Sequence, residues 1–150
     1  QINLMEESMR IQKDNIVIRS ATINDAIQLN KWWNDGRVME HAGFPNGLGE
    51  SLEDTMNNIR SWEGKLSQLC VIEIDGKPVG ELSYRIKDDN AAYPGWKICD
   101  FSYQNRGYGP KIIRMVFNRT IPSVLSWIFI IGLVIALSGT LLGLSKKNNK

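Results

Sequence analysis

Apolar positions along the chain recur with two different periods, and the alternation of those periods predicts its elements. Ile16-Val17-Ile18 is a short β-branched run, which predicts a first strand. Thr22 then offers a helix cap with Asp25 three residues on, and Ala26, Ile27, Leu29, Trp32 and Trp33 follow at helical spacing. A helix over 23–34, ended by Asp35-Gly36, follows from this, with Trp32 and Trp33 read as core rather than as a binding surface. Residues 41–49 hold three glycines and a proline and predict a loop. Ser51 and Asp54 repeat the capping pattern ahead of Leu52, Met56, Ile59 and Trp62 on one helical face. Residues 68–74 read as a strand, Asp75-Gly76 as a tight hairpin turn, and 79–86 as the returning strand. Asp88-Asp89-Asn90 predicts a polar turn and 96–101 the next strand. Beyond Pro110 the apolar pattern turns helical again at Ile112, Ile113, Val116 and Phe117. The predicted order is β-α-α-β-β-β-loop-α, an α/β fold with a mixed sheet and helices on both faces. Residues 1–15, mostly polar and without period, predict a disordered arm.

Charge narrows the function classes. The chain has 150 residues and a formal net charge of +2. All sixteen acidic and fifteen of the eighteen basic residues precede position 120, so that part carries −1. A nearly neutral body lacks the basic face that neutralises phosphates, which argues against nucleic acid as a partner. One histidine and two distant cysteines, Cys70 and Cys99, form no cluster with metal-ligand spacing, so no metal site is expected. Both cysteines lie in apolar runs and read as buried free thiols. No apolar segment suited to a signal peptide opens the chain. Gln1 is not an initiator residue, so the reading frame begins upstream or starts at Met5 or Met9.

The chemistry concentrates in residues 104–109, Gln104-Asn105-Arg106-Gly107-Tyr108-Gly109, between a strand and a helix. Gly107 and Gly109 carry no Cβ that would hold a phosphate away from the backbone amides. The helix starting near Pro110 adds unpaired N–H groups and the positive end of its dipole. Successive amides of this kind bind diphosphate, although an ordinary glycine turn has the same composition. A Walker loop is excluded because no lysine and hydroxyl follow the glycines. A dinucleotide fingerprint is excluded because no β-α-β unit with the required acidic residue follows.

What remains is Gln-x-x-Gly-x-Gly between an apolar strand and a helix, preceded by the Asp75-Gly76-Lys77-Pro78-Val79-Gly80 hairpin. In these features residues 16–118 resemble the GNAT N-acetyltransferases, and residues 96–101 match that family's fourth strand. The resemblance implies that amides of Asn105, Arg106, Gly107, Tyr108 and Gly109, with Gln104 opening the motif, cradle the diphosphate of acetyl-CoA. It implies that backbone around Ile98, Cys99 and Phe101 pairs with the pantetheine arm. The implied reaction is direct attack of a primary amine, on a small molecule or a protein, upon the thioester, with a base removing the ammonium proton. Glu81 and Asp100 are the carboxylates placed toward that cleft, each with a solvated or structural reading beside the catalytic one. His41 falls in the loop that contacts the acceptor in the family, or is a surface histidine.

The resemblance stops near Asn118. The family continues with a fifth strand, a helix bearing an asparagine and a thiolate-protonating tyrosine, and further strands, so the fold is C-terminally truncated here. Instead, no charged residue occurs between Arg119 and Lys146. As a helix, residues 122–144 would extend about 35 Å at roughly 1.5 Å per residue, enough for a hydrocarbon layer of about 30 Å. Residues 119–150 therefore predict one apolar, transmembrane-like helix with a basic tail, anchoring a cytoplasmic body through 121–144. The alternative to an active acetyltransferase is a non-catalytic, membrane-tethered remnant, or a frameshifted or fused product of an acetyltransferase gene.

Overall fold

The computed structural model describes residues 9–62, 67–86 and 92–120. The chain divides into two compact units, Gln1–Ile112 and Ile113–Lys150. The first holds a five-stranded sheet whose strands β1 (Arg10–Lys13), β2 (Ile16–Ser20), β3 (Gln68–Ile74), β4 (Lys77–Ile86) and β5 (Ala92–Ile98) lie side by side in chain order. Every described pairing is antiparallel, which corrects the expected mixed sheet over these residues. A parallel pair requires a strand after a crossover helix. The stretch following the last helix, including the expected membrane span at 121–144, lies outside the described residues. Among the described residues no helix is long and apolar enough to cross a membrane.

The arm expected at 1–15 is in part a strand. Arg10–Lys13 pairs with β2 through a turn at Asp14-Asn15, where Asp14 takes a left-handed φ of 52°. The ladder runs one step further, with Ser20 N donating to the Met9 carbonyl and Met9 N to Ser20 Oγ, both at 2.8 Å. Arg10, Gln12 and Lys13 are exposed, so the strand is a charged sheet edge without the apolar alternation that betrays a strand in sequence.

The Asp75-Gly76 hairpin forms as expected, both residues at positive φ (54° and 74°), the combination that a two-residue turn of this hand needs. The expected strand over 96–101 is shifted. β5 begins at Ala92 and ends at Ile98, because the amides of Cys99 and Asp100 both donate to the Val79 carbonyl, at 2.8 and 2.9 Å. Two residues facing one partner form a bulge and end regular pairing. Phe101–Tyr103 then forms a short 3-10 turn rather than strand. The expected turn at 88–90 lies outside the described residues.

The first helical segment opens as a 3-10 turn, Ile23–Asp25, and continues as α1 (Ala26–Trp33). Asp25 reaches back to the Thr22 amide at 2.8 Å, the reciprocal half of a capping box. Asp35-Gly36 ends α1, and it also starts α2 (Gly36–Met39), with Asp35 accepting from the Arg37 amide at 3.0 Å. A 3-10 turn, Glu40–Ala42, follows within the expected loop. α3 (Leu52–Arg60) is capped by Ser51 and Asp54 as their spacing predicts. Leu29, Trp32 and Trp33 of α1 pack with Met39, Ile59, Leu69 and Cys99, so both tryptophans are core residues. This layer covers the sheet face that carries Leu69; on the other face Ile18, Cys70, Ile72 and Leu82 are buried as well. Arg19 joins β2 to the capped turn, donating to Asp25 and to Glu73 of β3 at 2.8 Å each. α4 runs from Tyr108 to Thr120, starting two residues before Pro110.

Candidate active site

Glu81 owes its place to the register of two strands. It lies opposite Lys97 in the β4–β5 ladder, and its Oε1 accepts from Lys97 Nζ at 2.9 Å. Its Oε2 accepts from the indole Nε1 of Trp33 on α1 at 2.6 Å. The residue is only 9% exposed, so a carboxylate is held here by one cation and one neutral donor. The preceding Gly80 makes the close strand approach possible. A Cβ at that position would run into the Lys97 carbonyl and come within 3.0 Å of Ile98 Cα.

Glu81 and Lys97 line a cleft of about 910 Å³. The turn after β5 lines the same cleft through Gln104, Asn105, Gly107, Tyr108 and Gly109, joined by Ile98 and Phe101. The turn is built by two left-handed residues, Asn105 (φ 58°) and Gly107 (φ 77°), and delivers the chain into the first turn of α4. Gln104 Nε2 donates to the Ile98 carbonyl at 2.7 Å and ties the turn to the end of β5. Nothing lies within 4 Å of where a Cβ on Gly107 or Gly109 would sit. Backbone amides beside open space at the start of a 13-residue helix form a site suited to an anionic group.

The other expected residues separate by position. His41 lines the cleft with its side chain 92% exposed, 3.7 Å from a Glu40 carboxylate oxygen. Cys99 is buried in the helix–sheet core and is absent from the cleft lining; burial, with Glu81 nearby, pushes its thiol well above the ordinary value. Arg106 also stands apart, its guanidinium 5.7 Å from the centre of the Tyr103 ring. Asp100 is not a lining residue either. Its carboxylate accepts from Lys77 Nζ at 2.8 Å and from Ser102 Oγ and N at 2.6 and 3.0 Å, capping the 3-10 turn. The Lys77 bond first, then Ser102, hold it down at about 2.

Several cleft residues were not anticipated. Arg37, Glu40 and Ala42 come from α2 and the turn after it, and Arg37 sits 5.4 Å over the Phe101 ring while paired with Asp35 at 2.7 Å. The available signal was Asp35, a capping residue type placed just before Gly36. Lys97 and Trp33 were visible only as an apolar strand's interruption and a core aromatic. Chemically, the cleft sets a carboxylate with a fixed orientation near a turn able to hold an anion.

Neither a protein-family model nor a curated protein sequence matches the chain. Solved structures do match it. RimL, a ribosomal alpha-N-protein acetyltransferase in complex with coenzyme A, aligns at a TM-score of 0.56 and 20% identity over 67% of this chain and 60% of that one. The microcin self-immunity acetyltransferase MccE, in complex with acetyl-CoA and AMP, aligns at 0.57 and 17% over 71% and 62%. A GNAT-family acetyltransferase from Bacillus anthracis aligns at 0.56 and 21% over 73% and 64%. The chain thus spans less than two thirds of each of these relatives. Over about 70% of its length, it has a partial GNAT acetyltransferase fold.

Proposed function

We propose that the chain is an acetyl-CoA-dependent N-acetyltransferase acting on a primary amine. The observation that carries this reading is that Glu81 and the Gln104–Gly109 turn line one cleft. The open space beside Gly107 and Gly109 fits the diphosphate of coenzyme A, held by amides of residues 105–109 and the start of α4. Bound acetyl-CoA supplies the thioester carbonyl. Glu81 accepts a proton from the incoming ammonium, the freed amine forms the C–N bond, the C–S bond breaks, and the nitrogen gives its second proton to the departing coenzyme A thiolate. We assign the base to Glu81 and leave Asp100 as a structural cap, since both of its partners lie away from the cleft lining. Ile98 and Phe101 flank the pantetheine path, while His41, Glu40 and Arg37 face the acceptor. RimL, by its name, acts on a ribosomal alpha-N-protein, and a protein N-terminus or a small-molecule amine is the acceptor class proposed here.

Calorimetry with coenzyme A tests the binding half, and thiol release from acetyl-CoA over a panel of amines tests the transfer half. Glu81→Gln is expected to bind coenzyme A as the parent does and to lose about 10²–10⁴-fold in turnover, the usual contribution of a general base. Equal turnover in the two proteins would remove Glu81 from the mechanism.

A second reading rests on the uncharged run between Arg119 and Lys146. In it, residues 121–144 hold the chain to a membrane, and the domain binds coenzyme A without transferring acetyl. Binding without thiol release, together with a full-length chain that resists carbonate extraction from membranes, would favour it. Release into the carbonate supernatant would end the membrane part.

A further inference from the structure

We propose that Lys97 is itself an acetyl acceptor, a self-modification site inside the cleft. The inference rests on the acetyltransferase reading above. Lys97 is the only lysine among the described residues that line the cleft. Its Nζ donates to Glu81 Oε1 at 2.9 Å and to Met39 Sδ at 3.0 Å, which are the polar contacts the structure gives it. An ammonium hydrogen-bonded to the candidate base is the arrangement an external acceptor amine would have to reach. The chain already holds one there. Lys97 is also one residue from Ile98, whose carbonyl anchors Gln104 at the start of the glycine turn. Lys97 and the glycine turn that forms the proposed coenzyme site line the same cleft.

The step balances without any reagent beyond acetyl-CoA. The Lys97 ammonium gives a proton to the Glu81 carboxylate, and the neutral amine adds to the thioester carbonyl carbon. The C–S bond breaks, coenzyme A leaves as thiolate, and the nitrogen of the new amide sheds its second proton to that thiolate. Redox state is unchanged. The product, Nε-acetyl-lysine, carries no charge, so the ion pair to Glu81 ends; once Glu81 has passed its proton to solvent, its carboxylate retains the Trp33 indole. Acetylation of Lys97 would thus clear from the base the cation that pairs with it and competes with an acceptor's ammonium.

Exposure makes the idea testable against spontaneous chemistry. Uncatalysed acetylation favours accessible amines, and Lys97 has a side chain 27% exposed against 59% for Lys77. Full-length chain is incubated with acetyl-CoA, and peptide mass spectrometry follows each lysine over time. The expected result is acetyl on Lys97 ahead of Lys31, Lys77 and Lys111, at a rate independent of protein concentration, with the preference lost in heat-denatured chain. Glu81→Gln should reduce the Lys97 rate by about a hundredfold. A readout that needs no transfer accompanies it: free coenzyme A should shield Lys97, and not Lys31, from propionic anhydride. Should Lys97 stay unmodified while calorimetry shows acetyl-CoA bound, the self-modification is wrong and the acetyltransferase reading stands. Equal labelling of Lys97 and the exposed lysines would reduce it to spontaneous chemistry and overturn it. A chain that binds no acetyl-CoA overturns both.

Discussion

Gln104 Nε2 donates to the Ile98 carbonyl at 2.7 Å, across six residues of chain that hold a bulge and a 3-10 turn. The glutamine of the motif is therefore a strut between β5 and the turn, whose Asn105, Gly107, Tyr108 and Gly109 line the cleft. Gln104→Leu keeps the bulk and removes the bond. It is expected to cost about 1 kcal/mol of stability, the net worth of one such hydrogen bond. Coenzyme A affinity should fall further than that, since the turn loses its anchor. Thermal melting and calorimetry on the same variant separate the two effects. Unchanged affinity would show that the backbone alone sets the turn.

Asp100 makes an opposite kind of prediction. Its carboxyl is held at about 2, down from an ordinary 3.8, first by Lys77 and then by Ser102. A folded-state value below the unfolded one stabilises above the unfolded value, and the contribution disappears as pH falls from 3.8 toward 2. The melting-temperature gap between the parent and Asp100→Asn should thus be constant above pH 5 and close across that acid window. Acetyl transfer at neutral pH is expected to survive in Asp100→Asn. A loss comparable to that in Glu81→Gln would return Asp100 to the candidate bases.

Arg19 ties the capped turn to β3 through two carboxylates, so its removal should cost the fold stability. It bonds Asp25 twice, at 2.8 and 2.9 Å, and Glu73 once at 2.8 Å, with Asp25 only 8% exposed. Burial alone would raise the Asp25 carboxyl, but Arg19 and the Thr22 amide together bring it below its ordinary value. Arg19→Met leaves Asp25 and Glu73 without the cation they share. Since Arg19 is partly exposed, we expect a loss of about 2–3 kcal/mol, under the 3–5 typical of a fully buried pair. Urea denaturation measures it.

Much of this architecture was legible because each visible element carries its own local signal. The Asp75-Gly76 hairpin, the Ser51 and Thr22 caps and the tryptophans of α1 are set by turn chemistry and period alone. β1 was missed because an exposed edge strand of Arg10, Ile11, Gln12 and Lys13 has no apolar alternation to read. The end of β5 was misplaced because Cys99 and Phe101 look like strand, whereas a shared acceptor at Val79 decides where pairing stops. The same distinction divides the site. The glycine turn is a local motif and stood out in the sequence, but the Glu81–Lys97 pair exists only once β4 and β5 are in register. Arg37 and Glu40 reach the cleft from a four-residue helix and the 3-10 turn after it, both too short to have a period.

The two glycines of the turn give the sharpest separation of structure from ligand binding. Gly107 has a φ of 77°, a region that side chains with a Cβ adopt at a cost of roughly 1 kcal/mol or more. Gly109 is not among the residues with positive φ and lies in the first turn of α4, where alanine is favoured over glycine by roughly 0.5–1 kcal/mol. Neither position meets a neighbouring atom within 4 Å, so packing penalises neither substitution. Gly107→Ala should therefore melt at lower temperature than the parent, and Gly109→Ala at the same or a higher temperature. If the open space beside these residues is where the diphosphate lies, both variants should lose coenzyme A affinity, Gly109→Ala doing so in a fold of undiminished stability. That combination, tighter folding with weaker binding, has no explanation in the protein's own packing. Calorimetry that finds Gly109→Ala binding coenzyme A as well as the parent would move the diphosphate away from this turn.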